Sequence, residues 1–259
     1  MRRGFRSVVI TGASRGLGAA LVRRFAAPGV TLGLIGRDRS ALQVVAAECT
    51  ALGATPRIGV QDVRDAAGMA ALLTAWDATA PVNLAIANAG IAAGTRPDGA
   101  PEGLAAARAQ VEVNLLGALN LLDPLLPAMR RRRAGTIGLV ASLAAFRGLP
   151  DSPGYCASKA GLWAYGEALR AGLAPEGIRV TLVAPGFFDS AMGARWVGPR
   201  PLSLSAEAAA ERVERALRRG APQCVFPRPL GWALRLAPLL PVQMVDALVR
   251  RMAFRVRAE

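Results

Sequence analysis

Short apolar runs alternate with longer helical stretches along nearly the whole of this 259-residue chain. Each run is only a few residues long and almost continuously apolar, as expected of parallel strands covered on both faces. Repeated strand–helix–strand units require right-handed crossovers. We therefore predict an α/β fold of the Rossmann type, with a doubly wound, mainly seven-stranded parallel sheet and helices on both faces. The predicted strands are 8–11, 30–35, 57–60, 82–87, 135–141, 178–183 and 223–226.

Histidine is absent from the sequence, and its absence excludes several mechanistic classes. Ser-His-Asp hydrolases, His-ligated zinc enzymes and enzymes with a histidine general base are ruled out. Lysine and arginine together number 32, yet Lys159 is the single lysine. Because almost every other cationic side chain is arginine, we expect that position 159 requires the compact ammonium group of a lysine. The cysteines are scattered without paired spacing, so we expect neither disulfides nor a bound metal.

A glycine-rich turn follows the first predicted strand and precedes a helical stretch. It reads Thr11-Gly12-Ala13-Ser14-Arg15-Gly16-Leu17-Gly18. Glycines at these places allow a tight turn and a close approach of the backbone to a pyrophosphate, while the helix N-terminus offers free N–H groups and partial positive charge. Because the turn follows the first strand of an alternating chain, it favours a dinucleotide site over an ordinary turn.

In its glycine spacing this segment resembles the short-chain dehydrogenase/reductase family, and further motifs of that family follow in order. They are Asp62-Val63, Asn88-Ala89-Gly90, Asn114, Ser142, Tyr155 with Lys159, Pro185-Gly186 and Ser190. The resemblance implies that the Asp-Val pair contacts the adenine and that the Asn-Ala-Gly motif stabilises the sheet beside the cofactor. It also implies that the segment from Pro185 to Ser190 forms the loop on the nicotinamide side.

The end of the second predicted strand bears on the choice of cofactor. It reads Gly36-Arg37-Asp38. An acidic residue at this tip usually binds the adenosine 2′-hydroxyl of NAD, whereas an arginine accommodates the 2′-phosphate of NADP. Arg37 comes first, and Arg15 can reach the same phosphate from the glycine motif. We therefore predict NADP(H) as the preferred cofactor, with NAD(H) as the alternative if Asp38 faces the ribose instead.

Tyr155 and Lys159 are four residues apart at the start of a predicted helix, so their side chains lie on one face. A free phenol is a poor base at neutral pH, and a neighbouring ammonium favours the phenolate. The family resemblance implies that Tyr155 is the catalytic acid/base and that Lys159 also bonds the nicotinamide ribose. It further implies that Ser142 polarises the substrate oxygen and that Asn114 keeps a proton-relay water near the lysine.

Bulky apolar residues cluster where the family sets substrate specificity. After Gly186 these are Phe187, Phe188, Met192, Trp196 and Val197, and before Tyr155 they are Leu143, Phe146 and Leu149. We predict a substrate lid around residues 187–204 over an apolar, lipid-like substrate. The alternative, in which these aromatic side chains only pack the lid onto the domain, remains open at this stage.

The domain prediction is a Rossmann-type catalytic domain over residues 1–226 and a C-terminal extension over residues 227–259. Residues 105–133 are predicted to form one long helix, and residues 242–256 one basic amphipathic helix. A basic amphipathic helix suits an anionic membrane surface, and it equally suits the seam of an oligomer. The extension is therefore either part of the same domain or an attachment to a membrane or a second subunit.

Together these features predict an NADP(H)-preferring oxidoreductase that transfers a hydride between nicotinamide and the carbonyl or alcohol group of a small apolar substrate. We expect a homo-oligomer, dimer or tetramer, in the cytoplasm, with peripheral contact to an anionic membrane as an alternative, and no signal peptide. The net charge of +14 raises nucleic acid as a partner, but no nucleic-acid motif accompanies it. The alternative functions are a cofactor-binding regulatory protein and a membrane-surface adaptor.

Overall fold

The computed structural model describes residues 4–93, 102–150, 152–197, 200, 202–251 and 255–256. The strands are β1 (Ser7–Thr11), β2 (Thr31–Gly36), β3 (Thr55–Val60), β4 (Leu84–Ala87), β5 (Gly135–Val140), β6 (Ile178–Pro185), β7 (Trp196–Val197), β8 (Gln223–Phe226) and β9 (Arg255–Val256). The helices are α1 (Gly16–Phe25), α2 (Arg39–Ala51), α3 (Ala66–Thr79), α4 (Leu104–Val111), α5 (Gly117–Leu122), α6 (Leu126–Arg132), α7 (Pro153–Leu173), α8 (Ala191–Ala194), α9 (Ala206–Arg219), α10 (Arg228–Leu236) and α11 (Val242–Arg251).

The main sheet has seven strands in the order β3-β2-β1-β4-β5-β6-β8. All of its neighbouring strands are parallel. The chain winds outward from β1 to β3, returns to the middle at β4 and then winds in the opposite direction. This topology confirms the predicted Rossmann-type fold. It also opens a crevice at the carboxyl ends of β1 and β4, which is where open α/β sheets bind their ligands.

Two apolar cores cover the two faces of the sheet. Alternate residues of one strand enter different cores, so Val8 and Ile10 of β1 lie in one core and Val9 lies in the other. Helices α1, α2 and α9 enclose the first core, and helices α3, α5 and α7 enclose the second. Burial on both faces explains why the strands read as continuous apolar runs rather than as alternating patterns.

The prediction of a single helix over residues 105–133 is wrong. The segment consists of α4, a wider π-helical turn at Glu112–Leu116, α5 and, after a break, α6. The break follows from two prolines, because Pro124 and Pro127 lack the N–H group that would continue the helical hydrogen bonds. Pro127 lies in the first turn of α6, where a missing N–H group costs nothing.

The prediction of one helix over residues 242–256 is correct only as far as Arg251. Arg255–Val256 form strand β9, which pairs antiparallel with β7 in the predicted lid. Residues 252–254 of the predicted helix, and 198–199 and 201 of the predicted lid, lie outside the described residues. Backbone pairing with the lid replaces helical hydrogen bonds at the end of the chain. No described helix is both long and apolar enough to cross a bilayer.

Gly166 marks a close approach of α7 to the sheet. A Cβ atom there would lie 2.2 Å from Cδ2 of Leu182 and 2.7 Å from Cδ1 of Leu139, and both leucines are fully buried. We predict that Gly166→Ala lowers the free energy of unfolding by about 1–3 kcal/mol, because α7 must shift away from β5 and β6.

Gly172 supplies the matched control in the same helix, since it is exposed and a Cβ atom there would meet nothing within 4 Å. Gly172→Ala should raise the free energy of unfolding by up to about 1 kcal/mol through helix propensity alone. Urea unfolding of both variants measures the two effects. A shift of the same sign at both positions would contradict the packing argument.

Candidate active site

The glycine turn between β1 and α1 has the backbone shape that a dinucleotide site requires. Gly12 and Gly16 have φ angles of +65° and +54°, a region that favours glycine. A Cβ atom on Gly18 would lie only 2.0 Å from the carbonyl oxygen of Gly12. Every larger residue at position 18 would therefore open the turn.

Asn88 and Thr11 hold this turn against the end of β4. The side-chain amide of Asn88 donates hydrogen bonds to the carbonyl oxygens of Thr11 at 2.9 Å and Gly12 at 3.2 Å. In return, the hydroxyl of Thr11 accepts hydrogen bonds from the backbone N–H groups of Asn88 and Ala89, both at 3.1 Å. These bonds fix the predicted Asn-Ala-Gly motif beside the glycine turn.

A cavity runs from the glycine turn along the carboxyl edge of the sheet, and it brings together most of the predicted cofactor-binding residues. They are Gly12, Ser14, Arg15, Gly16, Leu17, Gly18, Arg37, Asp62, Val63, Asn88, Ala89, Gly90 and Ser190. No side chain caps α1, and its first turn carries no acidic residue, so its N–H groups remain available to an anion. The cavity therefore fits a nicotinamide dinucleotide, with the pyrophosphate at the glycine turn.

The charged residues at the β2 end of this cavity bear on the choice between the two cofactors. The carboxylate of Asp38 accepts a hydrogen bond from the backbone N–H of Ala41 at 3.0 Å and so serves as the N-cap of α2. Arg37 is 66% exposed in its side chain and lies 4.0 Å from Asp62. Arg64 approaches Asp62 more closely, at 2.7 Å, and its hydrogen bond is the main cause that lowers the pKa of this carboxyl.

Tyr155 and Lys159 lie on one face of α7, as the four-residue spacing predicts. Lys159 Nζ donates a hydrogen bond to the carbonyl oxygen of Val140 at 2.9 Å and lies 5.9 Å from the centre of the Tyr155 ring. Ser142, which follows β5, lines the same cavity as Tyr155 and acts to lower the pKa of its phenol. The three side chains therefore converge at the carboxyl end of β5.

Burial controls the protonation of this cluster. Only 4% of Lys159 is exposed, and burial lowers the pKa of its ammonium to about 8. Burial also raises the pKa of Tyr155, although Ser142 acts in the opposite direction. Lys159 is not among the groups that shift this pKa, so the predicted lowering of the phenol pKa by Lys159 does not appear in this structure, and burial keeps the phenol neutral.

Asn114 lies in the π-helical turn and is almost completely buried. Its Oδ1 accepts a hydrogen bond from the backbone N–H of Ile91 at 2.7 Å. Its Nδ2 donates to the carbonyl oxygen of Ile91 and to Oγ of Ser158, both at 2.9 Å. The side chain thus ties the segment after β4 to α7 at Ser158, the residue before Lys159. The expected role in holding a proton-relay water stays a prediction.

A second cavity adjoins the first, and Tyr155, Lys159, Ser142, Pro185 and Gly186 line it. Residues on the wall of both cavities mark their junction: Leu17, Asn88, Gly90, Ala92, Phe188 and Ser190. The second cavity has mainly apolar walls, including the predicted Leu143, Leu149, Phe187, Phe188 and Trp196. Phe146 does not line it and packs against Trp163, with ring centres 4.7 Å apart.

Several lining residues are missed by the sequence analysis. Leu230 and Leu234 of α10 and Val249 of α11 form part of the apolar wall, although the sequence predicts the extension only as part of the same domain or as an attachment to a membrane or a second subunit. The spacing of Leu230 and Leu234, four apart in an apolar run, is the signal that would have found them. Arg147 also lines this cavity and forms an ion pair with Asp246 of α11. Arg195, from the lid, lines the dinucleotide cavity.

Comparison with known proteins agrees with this geometry, since residues 6–199 match the short chain dehydrogenase family. The chain belongs to this family. An uncharacterized oxidoreductase from Myxococcus xanthus is 35% identical over 249 residues, which cover 96% of this chain and 98% of that protein. The ketoacyl reductase HetN from Nostoc sp. is 36% identical over 184 residues, covering 70% of this chain and 63% of that protein.

Solved structures of similar proteins share the fold of this short-chain dehydrogenase. A polyketide ketoreductase of actinorhodin, determined with NADPH, superimposes with a TM-score of 0.77 at 25% identity, covering 89% of this chain and 99% of that one. The family match and the relatives named as oxidoreductases show that this short-chain dehydrogenase is an NAD(P)-dependent oxidoreductase.

The low pKa of Lys159 predicts a pH-dependent stability. Its folded value of about 8 lies below the ordinary value of 10.5, so below pH 8 the cost of burying the ammonium is fully present. Between these values the unfolded chain binds more protons than the folded one, and stability rises with pH. Relative to Lys159→Met, the cofactor-free wild type should therefore gain about 3 kcal/mol from pH 7 to 10.5.

Urea unfolding of both proteins across this pH range measures the difference. Titrations elsewhere in the chain cancel between wild type and variant. A difference that stays constant with pH would show that Lys159 keeps its ordinary pKa in the folded protein.

Proposed function

We propose that this protein is an NADP(H)-preferring reductase that converts the carbonyl group of an apolar substrate to an alcohol. The observation that carries the proposal is the convergence of Ser142, Tyr155 and Lys159 on the wall of an apolar cavity that adjoins the dinucleotide cavity. A carbonyl oxygen held beside Tyr155 and Ser142 would lie at the boundary between the two cavities.

Each member of this cluster has a task in carbonyl reduction. The nicotinamide, when bound, supplies the hydride that the carbonyl carbon accepts. Tyr155 donates its proton to the carbonyl oxygen, and burial suits it to this task because it keeps the phenol protonated. Ser142 hydrogen-bonds the same oxygen and orients Tyr155. Lys159 places a cation one helical turn away, where it favours the phenolate that remains after the proton has left.

The walls of the substrate cavity favour an apolar compound. Apolar side chains from three parts of the chain meet there: Leu143 after β5, Phe187 in the lid, and Leu234 in α10. Ser142, Tyr155 and Lys159 are among the polar groups of the wall, and an apolar substrate would orient its carbonyl toward them. The relative named as a ketoacyl reductase and the structural neighbour named as a polyketide ketoreductase support a ketone bound to an extended carbon chain.

The preference for NADP(H) is supported by the charges at the β2 end of the dinucleotide cavity. Asp38 is engaged as the N-cap of α2, which removes the carboxylate that would select the free ribose hydroxyl. Arg37 and Arg15 line the cavity and offer guanidinium groups to a phosphate. Asp62, the remaining carboxylate there, is held by Arg64.

A cofactor-binding regulator without turnover is the alternative on the same fold. Binding alone requires the glycine turn and the Arg37 end of the cavity. It does not require Tyr155 and Ser142, which face the apolar cavity and its expected substrate. Oxidation of NADPH in the presence of long-chain ketones is the experiment that separates an enzyme from a regulator, and no oxidation with any of them would favour the regulator.

Tyr155→Phe should lower kcat by about 10²–10⁴-fold, because it removes the hydroxyl that donates the proton. The dissociation constant for NADPH should change little, since the phenol acts on the substrate oxygen. Tyr165→Phe is the matched control, because Tyr165 lies deeper in α7 and away from both cavities. Steady-state NADPH oxidation and calorimetric titration measure the two quantities. Residual activity of Tyr155→Phe within tenfold of wild type would remove Tyr155 from the mechanism.

NADPH should bind at least about tenfold more tightly than NADH, because each charge-assisted hydrogen bond to the 2′-phosphate contributes roughly 1.5–3 kcal/mol. Arg37→Ala should remove most of this preference by weakening NADPH and leaving NADH unchanged. Arg131→Ala, an exposed arginine of α6, is the control for a simple change of net charge. Equal dissociation constants of the wild type for NADPH and NADH would exclude the proposed preference.

A further inference from the structure

The C-terminal extension exposes several large apolar side chains that the proposed reaction does not use. We call this series the apolar ridge, and it consists of Trp232, Leu236, Leu239, Leu240, Met244 and Leu248. Each of them has more than half of its surface exposed, and Leu239 reaches 80%. Outside the extension, in the described part of the chain, exposed large apolar residues are single and scattered, such as Val44 on α2 and Leu52 directly after it. A concentration of this kind marks an interaction surface rather than ordinary surface composition.

Each of the two helices of the extension has some residues that face the domain and others that are exposed. Toward the domain, Leu230 and Leu234 of α10 and Val249 of α11 line the substrate cavity, and Val245 is buried. On α10 the exposed Trp232 and Leu236 lie on the side opposite Leu230 and Leu234, and on α11 the exposed Met244 and Leu248 directly precede Val245 and Val249. Gly231 lets α10 pack closely, since a Cβ atom there would lie 2.4 Å from Cγ1 of Val225 in β8. The helices that line the cavity therefore also carry the apolar ridge.

The charges around the ridge are positive. Arg228 and Arg250 are exposed at its two ends. Between them the sequence contains one acidic residue, Asp246, and its carboxylate is neutralised by the ion pair with Arg147. The whole chain carries a net charge of +14. The surface thus combines exposed apolar side chains with unneutralised cations, which is the composition of a peripheral membrane-binding face.

We propose that the apolar ridge docks on an anionic lipid bilayer. The leucines, the methionine and Trp232 insert at the boundary between headgroups and acyl chains, while Arg228 and Arg250 contact lipid phosphates. A second copy of the chain fits this face less well, because it would bring the same arginines and another net charge of +14 against it. An anionic bilayer supplies the opposite charge and the apolar environment at once.

Docking in this way places the substrate cavity next to the membrane. An apolar substrate dissolved in the bilayer would then pass along α10 and α11 to reach Tyr155 without crossing water. This consequence rests on the proposed function, whereas the docking itself does not. Vesicle binding is therefore tested without nicotinamide or substrate, so that either proposal can fail while the other stands.

Flotation with lipid vesicles tests the docking directly. The full chain should bind vesicles of phosphatidylcholine and phosphatidylglycerol in equal amounts at least about tenfold more tightly than vesicles of phosphatidylcholine alone. Binding to the mixed vesicles should weaken as the salt concentration rises, because salt screens the arginines. Leu236→Ser with Leu248→Ser should lower this binding at least about tenfold. Val44→Ser with Leu52→Ser is the matched control at α2 and should leave binding unchanged.

Trp232 provides a readout at the proposed contact. It is more than half exposed, so its fluorescence should shift to shorter wavelength when anionic vesicles are added. Trp232→Phe should lose this shift and still float with the vesicles. Equal binding to both kinds of vesicle, or binding that the Leu236 and Leu248 substitutions leave unchanged, overturns the proposal. It is equally overturned if these substitutions lower the molecular mass in solution and leave vesicle binding unaltered, which would make the ridge an interface between copies.

Discussion

The site depends on hydrogen bonds that join the ends of β1 and β4. Parallel neighbouring strands have no short turn between them, and these two lie where the winding of the sheet reverses. Asn88 and Thr11 exchange side-chain and backbone hydrogen bonds across this point, and the amide of Asn88 also reaches Gly12. The glycine turn is thereby fixed at the crevice, with the start of α1 facing it. Both cavities meet at this place, so the cofactor end and the substrate end share one rigid support.

The proposed catalytic cluster of Ser142, Tyr155 and Lys159 would allow proton transfer without histidine. Lys159 is almost completely buried and donates to a single backbone carbonyl, that of Val140. Burying a cation is costly, and the fall of its pKa to about 8 expresses that cost. The domain tolerates this cost because two large apolar cores stabilise the sheet on which the cluster lies. A group that destabilises the empty protein is thus held ready for the reaction.

The C-terminal extension contributes both to the cavity and to the exposed surface of the protein. Its apolar residues divide by helical geometry into an inner set, which completes the substrate cavity, and an outer set, which forms the apolar ridge. Three contacts fasten it to the domain: the packing of Gly231, the ion pair of Arg147 with Asp246, and the pairing of β9 with β7 in the lid. The pairing of β9 with β7 therefore joins the predicted lid to the extension through backbone hydrogen bonds.

The sequence by itself determined the sheet, the glycine turn and the Tyr155–Lys159 pair, because each depends on local pattern: apolar runs, positive-φ glycines and four-residue spacing. It did not determine that Asp38 caps α2, that residues 105–133 break into separate helices, or that Leu230 and Leu234 line the substrate cavity. The first two follow from nearby residues, the N–H group of Ala41 and the prolines at 124 and 127, whereas the lining of the cavity depends on which distant part of the chain packs against α10. An amphipathic helix specifies that it has an apolar face, but only the tertiary structure decides which apolar residues it buries and which it leaves exposed.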